Sequence, residues 1–189
     1  MSASSKIASV EIHLKRLLGK WLRKIQGVYL YRKITRLFTP RITINKAEDA
    51  DLKDIQKFFH AKNNNQIIQN NHVTNFVAKK KNNIVGFAQL VKHTEGSPYA
   101  GYWLFGLTVH FFYRRMALGE KLTQAVIEKA KTDGAKELFL LVFEDNHEAI
   151  RLYRKLGFNF SVIKALEEEL KKENEPYHHR RIVMSRSLE

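Results

Sequence analysis

Leu138 to Phe143 is the longest uninterrupted apolar run in the chain. It is far too short to span a membrane. Within "ELFLLVF" (137–143) it has the length and continuity of a strand buried in the middle of a sheet, where neither face meets water. The neighbouring segment agrees with a strand that ends at Phe143. "DNHEAIRLYRKL" opens with Asp145 and Glu148 at capping-box spacing and reads as a helix that Gly157 ends.

The flanking segments supply the rest of the sheet. "YWLFGLTVHFF" (102–112) is an aromatic strand with Gly106 inside it, a position that often marks a bulge. A helix opens at "RRMALGEKL", with Leu118, Leu122, Ala125, Val126 and Ala130 on one side and a stop near Asp133-Gly134. "VTNFVAKK" and "IVGFAQLVKH" on either side of "KNN" form a hairpin. "RITINKA" (41–47) alternates as a strand, and "EDADLKDIQKFFHA" is an acid-started helix with Leu52, Ile55 and Phe58 or Phe59 inward. "FNFSVIKALEEEL" begins as a strand and continues as a short helix, and "YHHRRIVMSRSL" supplies a last strand. Strands on both sides of a strand–helix–strand–helix centre give an α/β or α+β domain.

Charge separates the first forty residues from this domain. Residues 1–40 hold nine basic side chains against Glu11 alone, a net +8 out of the chain's +14. From Ile7 to Val28, apolar residues spaced by three and four draw one stripe, with Lys15, Arg16, Lys20, Arg23 and Lys24 mostly off it. We read 1–40 as a basic amphipathic helical arm and 41–189 as the main domain, with Leu188-Glu189 in the form of a cloning scar. Such an arm suits a membrane surface, a partner protein or packing on the domain or a second subunit, leaving a homodimer open. Specific nucleic-acid binding is not expected. The 189 residues contain no cysteine, which removes disulfides and thiolate chemistry and fits a cytoplasmic protein. The serine-containing, acid-poor start also has the composition of a mitochondrial-type transit peptide.

Two segments carry chemistry. In "YRRMALGEKL" (113–122), Arg114 and Arg115 precede a helix start where Ala117 and Gly119 keep side chains out of the way. The unpaired N–H groups and dipole of a helix N-terminus suit phosphates. Downstream, Asn146, Ala149, Tyr153 and Gly157-Phe158 recur at fixed spacing. His178 and His179 are no metal pair, because adjacent strand residues face opposite ways. No metal site is expected.

Together these segments resemble the GNAT superfamily of N-acetyltransferases over residues 41–187. Val109 followed by Arg114-Arg115-Met116-Ala117-Leu118-Gly119 is similar to the family's strand valine and R-x-x-G-x-G loop, with Ala117 in place of the usual first glycine. "NHEAIRLYRKLGF" is similar to its N-x-x-A-x-x-x-Y-x-x-x-G-F element. The resemblance implies a mixed, mostly antiparallel α+β sheet flanked by helices, splayed at an acyl-CoA site. It implies acetyl-CoA as co-substrate, with the pyrophosphate on the N–H groups around Arg114, Arg115, Met116, Ala117, Leu118 and Gly119. Leu107 and Val109 would meet the pantetheine arm, and Asn146 the cofactor from the other side. The Val109 N–H would stabilise the oxyanion and Tyr153 would serve the leaving sulfur. Alanine's small size would preserve phosphate access at Ala117.

The activity implied is acetyl transfer to an amine, on a small molecule or a protein, within a ternary complex. The competing reading is a non-catalytic acyl-CoA-binding module whose arm recruits a partner, membrane or nucleic acid. No residue is assigned as base. His110 points opposite to Val109 by strand alternation, and Glu144 reads as a solvated loop acid. The acceptor site would be built from 59–72, 92–101 and 165–178, with Glu167, Glu168 and Glu169 as candidate acids.

Overall fold

The computed structural model describes residues 42–58, 72–174 and 180–189. The basic arm, the connection at 59–71 and the His178-His179 pair lie outside the described residues. Among the described residues seven strands form one sheet. They are β1 (Ile42–Lys46), β2 (Val73–Lys80), β3 (Asn83–His93), β4 (Gly101–Val109), β5 (Glu137–Phe143), β6 (Asn159–Ser161) and β7 (Arg181–Ser187). Their spatial order is β1-β2-β3-β4-β5-β7-β6, and every pairing is antiparallel except β4 with β5. This is the mixed, mostly antiparallel α+β architecture expected from the sequence.

Among the described residues four helices cover the sheet: α1 (Leu52–Phe58), α2 (Leu118–Thr132), α3 (His147–Lys155) and α4 (Lys164–Asn174). On one face, Leu118, Leu122, Val126, Ile127 and Ala130 of α2 enter a continuous core with Leu104, Leu138, Leu140 and Met184. The inward stripe of α2 is therefore centred on Val126 and Ile127, and Ala125 is only half-buried. The opposite face carries two smaller clusters. Ile55 of α1 packs with Val77 and Phe87, and Leu166 and Leu170 of α4 pack with Trp103 and Val183.

The apolar run 138–143 serves both faces. Leu138, Leu140 and Val142 are buried in the α2 core, while Phe139 and Leu141 pack beneath α4. Side chains alternate across a strand, so a strand covered on both sides needs apolar residues at successive positions. The Leu188 N–H donates to the Lys136 carbonyl at 2.9 Å, and its side chain rests on the α2 core.

Candidate active site

The site begins where β4 and β5 stop pairing. Their parallel register runs from Tyr102–Leu138 to Leu104–Leu140 and ends there, although both strands continue. The cause lies on the other edge of β4. The β3–β4 register slips by one residue between Phe87–Thr108 and Gln89–Phe105, which places a bulge at Gly106-Leu107. Gly106 takes φ +63°, and a Cβ there would sit 3.1 Å from the Phe87 ring. Only glycine meets both demands without strain, and the extra residue bends β4 away from β5.

Beyond the bulge, the backbone direction is set by hydrogen bonds. The His110 N–H donates to the Val85 carbonyl on β3 at 2.9 Å. Successive N–H groups of a strand point to opposite edges, so the Val109 N–H faces the gap beside β5, and the same alternation gives Leu107 that edge. The Val109 carbonyl also faces away from β3, where it accepts a 3.2 Å hydrogen bond from Arg114 Nε.

The connection to α2 is longer than its sequence suggests. A 3-10 turn (Phe111–Tyr113) and a loop intervene, and α2 starts at Leu118 rather than at the arginines. Arg115 and Ala117 adopt φ +60° and +57°, with Met116 between them outside that region. Such alternation turns successive N–H groups into one concavity that accepts anions. Ala117 is thus the left-handed N-cap of α2 and not a helical residue, and alanine carries a conformational cost there that glycine would not. No side chain caps this terminus, leaving the first N–H groups of α2 to other acceptors.

Gly119 has a second role in packing. A Cβ at this position would lie 3.3 Å from Leu152 Cδ2, so the missing side chain lets α3 approach α2. Two exposed ion pairs cross the same junction, Arg115–Glu148 at 3.2 Å and Lys155–Glu120 at 2.7 Å. The Arg115 charge is accordingly shared with a carboxylate, while Arg114 lies 5.8 Å from the Phe111 ring centroid.

Asn146, and not Asp145, caps α3. Its Oδ1 accepts from the Ala149 N–H at 3.1 Å, leaving its amide N–H groups to other partners. About two turns later, Tyr153 is 7% exposed and meets Phe158 edge-to-face at 5.8 Å. Burial pushes the Tyr153 phenol up to about 12, so it is protonated throughout the neutral range.

The end of the sheet carrying the gap also carries a groove of about 700 Å³ between β6, α4 and the start of β7. Val162, Ile163, Leu170 and Arg180 line it, with Glu167 as its acid. Glu169 accepts from the Tyr99 hydroxyl at 3.2 Å, and Glu168 pairs with Lys171. The three glutamates thus serve different places. His110 packs against Phe112 and Tyr113. Among the described residues no three His, Cys, Asp or Glu side chains gather where they could hold a metal, and no helix is long and apolar enough to cross a membrane.

Comparison with known proteins decides the family. The sequence profile of the acetyltransferase (GNAT) family matches residues 33–158. The chain belongs to the GNAT acetyltransferase family. Among curated relatives, the spermine/spermidine N(1)-acetyltransferase of Bacillus subtilis is 33% identical over 82 residues, covering 41% of this chain and 54% of that protein. The ribosomal protein bS18-alanine N-acetyltransferase of Escherichia coli is 38% identical over 61 residues, covering 32% and 41%. The chain therefore spans about half the length of the curated relatives it matches. Solved GNAT folds match over more of the chain. The Escherichia coli S18-alanine enzyme superposes with TM-score 0.58 at 24% identity, covering 78% of this chain and 94% of that one. A Bacillus anthracis streptothricin acetyltransferase homologue, solved with acetyl coenzyme A, gives 0.60 at 18%, covering 78% and 99%.

Proposed function

We propose that the chain moves an acetyl group from acetyl-CoA directly to an amine, with both substrates held at once. The half-paired β4–β5 seam carries this reading, because it turns the Val109 N–H toward a gap beside the uncapped start of α2. The chain's own groups fit the co-substrate. The concavity at Arg115–Ala117 and the first N–H groups of α2 would hold the pyrophosphate. Leu107 and Val109 would align the pantetheine arm along the open edge of β4, and the Asn146 amide would reach it from α3.

The amine attacks as the free base, since a protonated nitrogen has no lone pair. As the thioester carbonyl becomes an oxyanion, the Val109 N–H stabilises it from a fixed backbone position. Tyr153 then faces the departing sulfur. A phenol at about 12 is a weaker acid than a thiol near ~8.5, so full proton transfer would be uphill. Tyr153 is better suited to donating a strong hydrogen bond to the thiolate than to surrendering its proton. As the C–N bond forms and the C–S bond breaks, the proton shed by the nitrogen passes to the departing thiolate or to water, so the products are an amide and CoA thiol. An amine is what the named substrates of the two curated relatives have in common, a polyamine in one and an alanine of a ribosomal protein in the other.

Calorimetric titration with acetyl-CoA tests this reading. Micromolar binding that Gly119→Asp abolishes supports it; a wild type that binds no acetyl-CoA overturns it.

A further inference from the structure

Three chain segments reach one end of the sheet. Ile42, the first residue of β1, lies opposite Lys80; the β2–β3 turn is Lys81-Asn82; and the end of β4 runs into the 3-10 turn Phe111–Tyr113. That turn shows water two adjacent phenylalanines, Phe111 at 50% exposed and Phe112 at 41%, which meet edge-to-face at 5.6 Å. Exposed apolar residues scattered singly need no explanation, whereas adjacent aromatic rings at a loop tip offer a contact surface.

Cations surround the pair. Lys80 Nζ donates to the Tyr113 hydroxyl at 3.3 Å and sits 5.3 Å from its ring centroid, and Arg114 lies over the Phe111 ring. Lys81 is exposed at the tip of the hairpin. Among the described residues, none of Lys80, Lys81 and Arg114 is in an ion pair with a carboxylate. Arg114 borders the anion concavity at Arg115–Ala117, but Lys80 and Lys81 lie across β3 from the β4–β5 gap and have no part in the acetyl-CoA reading.

The sequence before β1 carries the same two chemistries. Residues 1–40 hold nine basic side chains against Glu11 alone, and Leu14, Leu17, Trp21 and Ile25 belong to one apolar stripe at helical spacing. Its peptide link to the domain lies at this end of the sheet, because Ile42 opens β1 there. A nucleic acid would match the cations and leave the apolar stripe and the phenylalanines in water. An anionic bilayer takes both: headgroup phosphates meet the lysines and arginines, and the acyl boundary takes tryptophan, leucine and phenylalanine.

We propose that residues 1–40 and this end of the domain bind an anionic phospholipid surface, with Leu14, Leu17, Trp21 and Ile25 in the acyl boundary, Phe112 among the headgroups, and Lys80 and Lys81 facing lipid phosphates. This goes beyond acetyl transfer and does not depend on it.

Sedimentation of the full chain with unilamellar vesicles tests the proposal. Partition onto phosphatidylcholine containing about one-third phosphatidylglycerol should exceed partition onto pure phosphatidylcholine by about tenfold or more, and high salt should remove the difference. Tryptophan emission should move to the blue on the anionic vesicles and not in Trp21→Phe, because Trp103 is already fully buried. Leu17→Glu should lower the partition about tenfold or more. Phe112→Ser and Lys81→Asn, the latter tolerated at φ +54°, should each lower it about fivefold with Tm and the acetyl-CoA Kd unchanged, so that a folding defect is told apart from a lost contact. Equal partition onto the two kinds of vesicle, or none onto either, overturns the proposal. So does tighter binding to a DNA or RNA duplex at the same salt, an emission that anionic vesicles leave unmoved, or a Phe112→Ser, Lys81→Asn double variant that partitions like wild type.

Discussion

The two faces of the sheet are built on different terms. The α2 face is one continuous apolar core, and the apolar site residues named from the sequence together with Tyr153 are anchored to it: Leu118, Tyr153, Leu107, Val109 and Met116 pack there. The α1 and α4 face is divided into two clusters with a polar strip between them, and two buried polar atoms on it are unmatched. A face that must hold one invariant co-substrate can be closed and rigid. On the divided face, polar groups left in the interior weaken its own packing.

That contrast predicts that damage on the α2 face will strike the co-substrate and the chemistry. The largest effect should come from Gly119→Asp, which sets a carboxylate beside the anion concavity and a Cβ against Leu152. Acetyl-CoA affinity should fall by about 10²-fold or more, read by calorimetry. The Gly119→Ala control separates the two causes, since it adds the packing contact without the charge. If it loses affinity equally, Gly119 acts through α2–α3 packing.

Next in size is Tyr153→Phe. Loss of a hydrogen bond to the leaving sulfur should lower kcat by about 10²-fold while the acetyl-CoA Kd remains unchanged. An unchanged kcat would assign Tyr153 to the core alone. The same residue makes a pH prediction. Its folded value of about 12 lies above the ordinary value of 10.0, so its contribution is complete below about pH 10 and is lost as pH rises toward 12. Wild type should lose about 2–3 kcal/mol more than Tyr153→Phe between those limits, measured by urea unfolding across the alkaline range.

The smallest effect is expected at Ala117. Ala117→Gly removes the cost of φ +57° and should raise stability by about 0.5–1 kcal/mol with acetyl-CoA affinity unchanged or improved. A destabilised variant would mean that the alanine methyl makes a packing contact worth more than the backbone cost.

Much of this protein was legible because local chemistry and global fold agree. The run is apolar at successive positions from Leu138 to Val142 because both of its faces are covered there, with Phe143 left exposed at its end, and that pattern appears directly in the sequence. Gly106 announced a bulge, and the bulge is what opens β4 from β5. The loop and the Asn146–Tyr153 helix were recognisable because their spacings are set by helix turns and backbone geometry, which are local.

Other features were decided by tertiary structure. Nothing local separates an alanine in the first turn of a helix from one in the left-handed cap before it; the path from β4 to α2 makes that choice. Gly119 reads as space for phosphate, and only the approach of Leu152 from α3 adds its second role. Asn75 and Gln89 are fourteen residues apart and form no motif; strand register makes them one amide pair, because pairing across strands is non-local. The sequence by itself therefore determined the strand, the loop and the helix that recur as motifs. Which face each side chain serves, and what it meets there, was decided by how the strands were laid side by side.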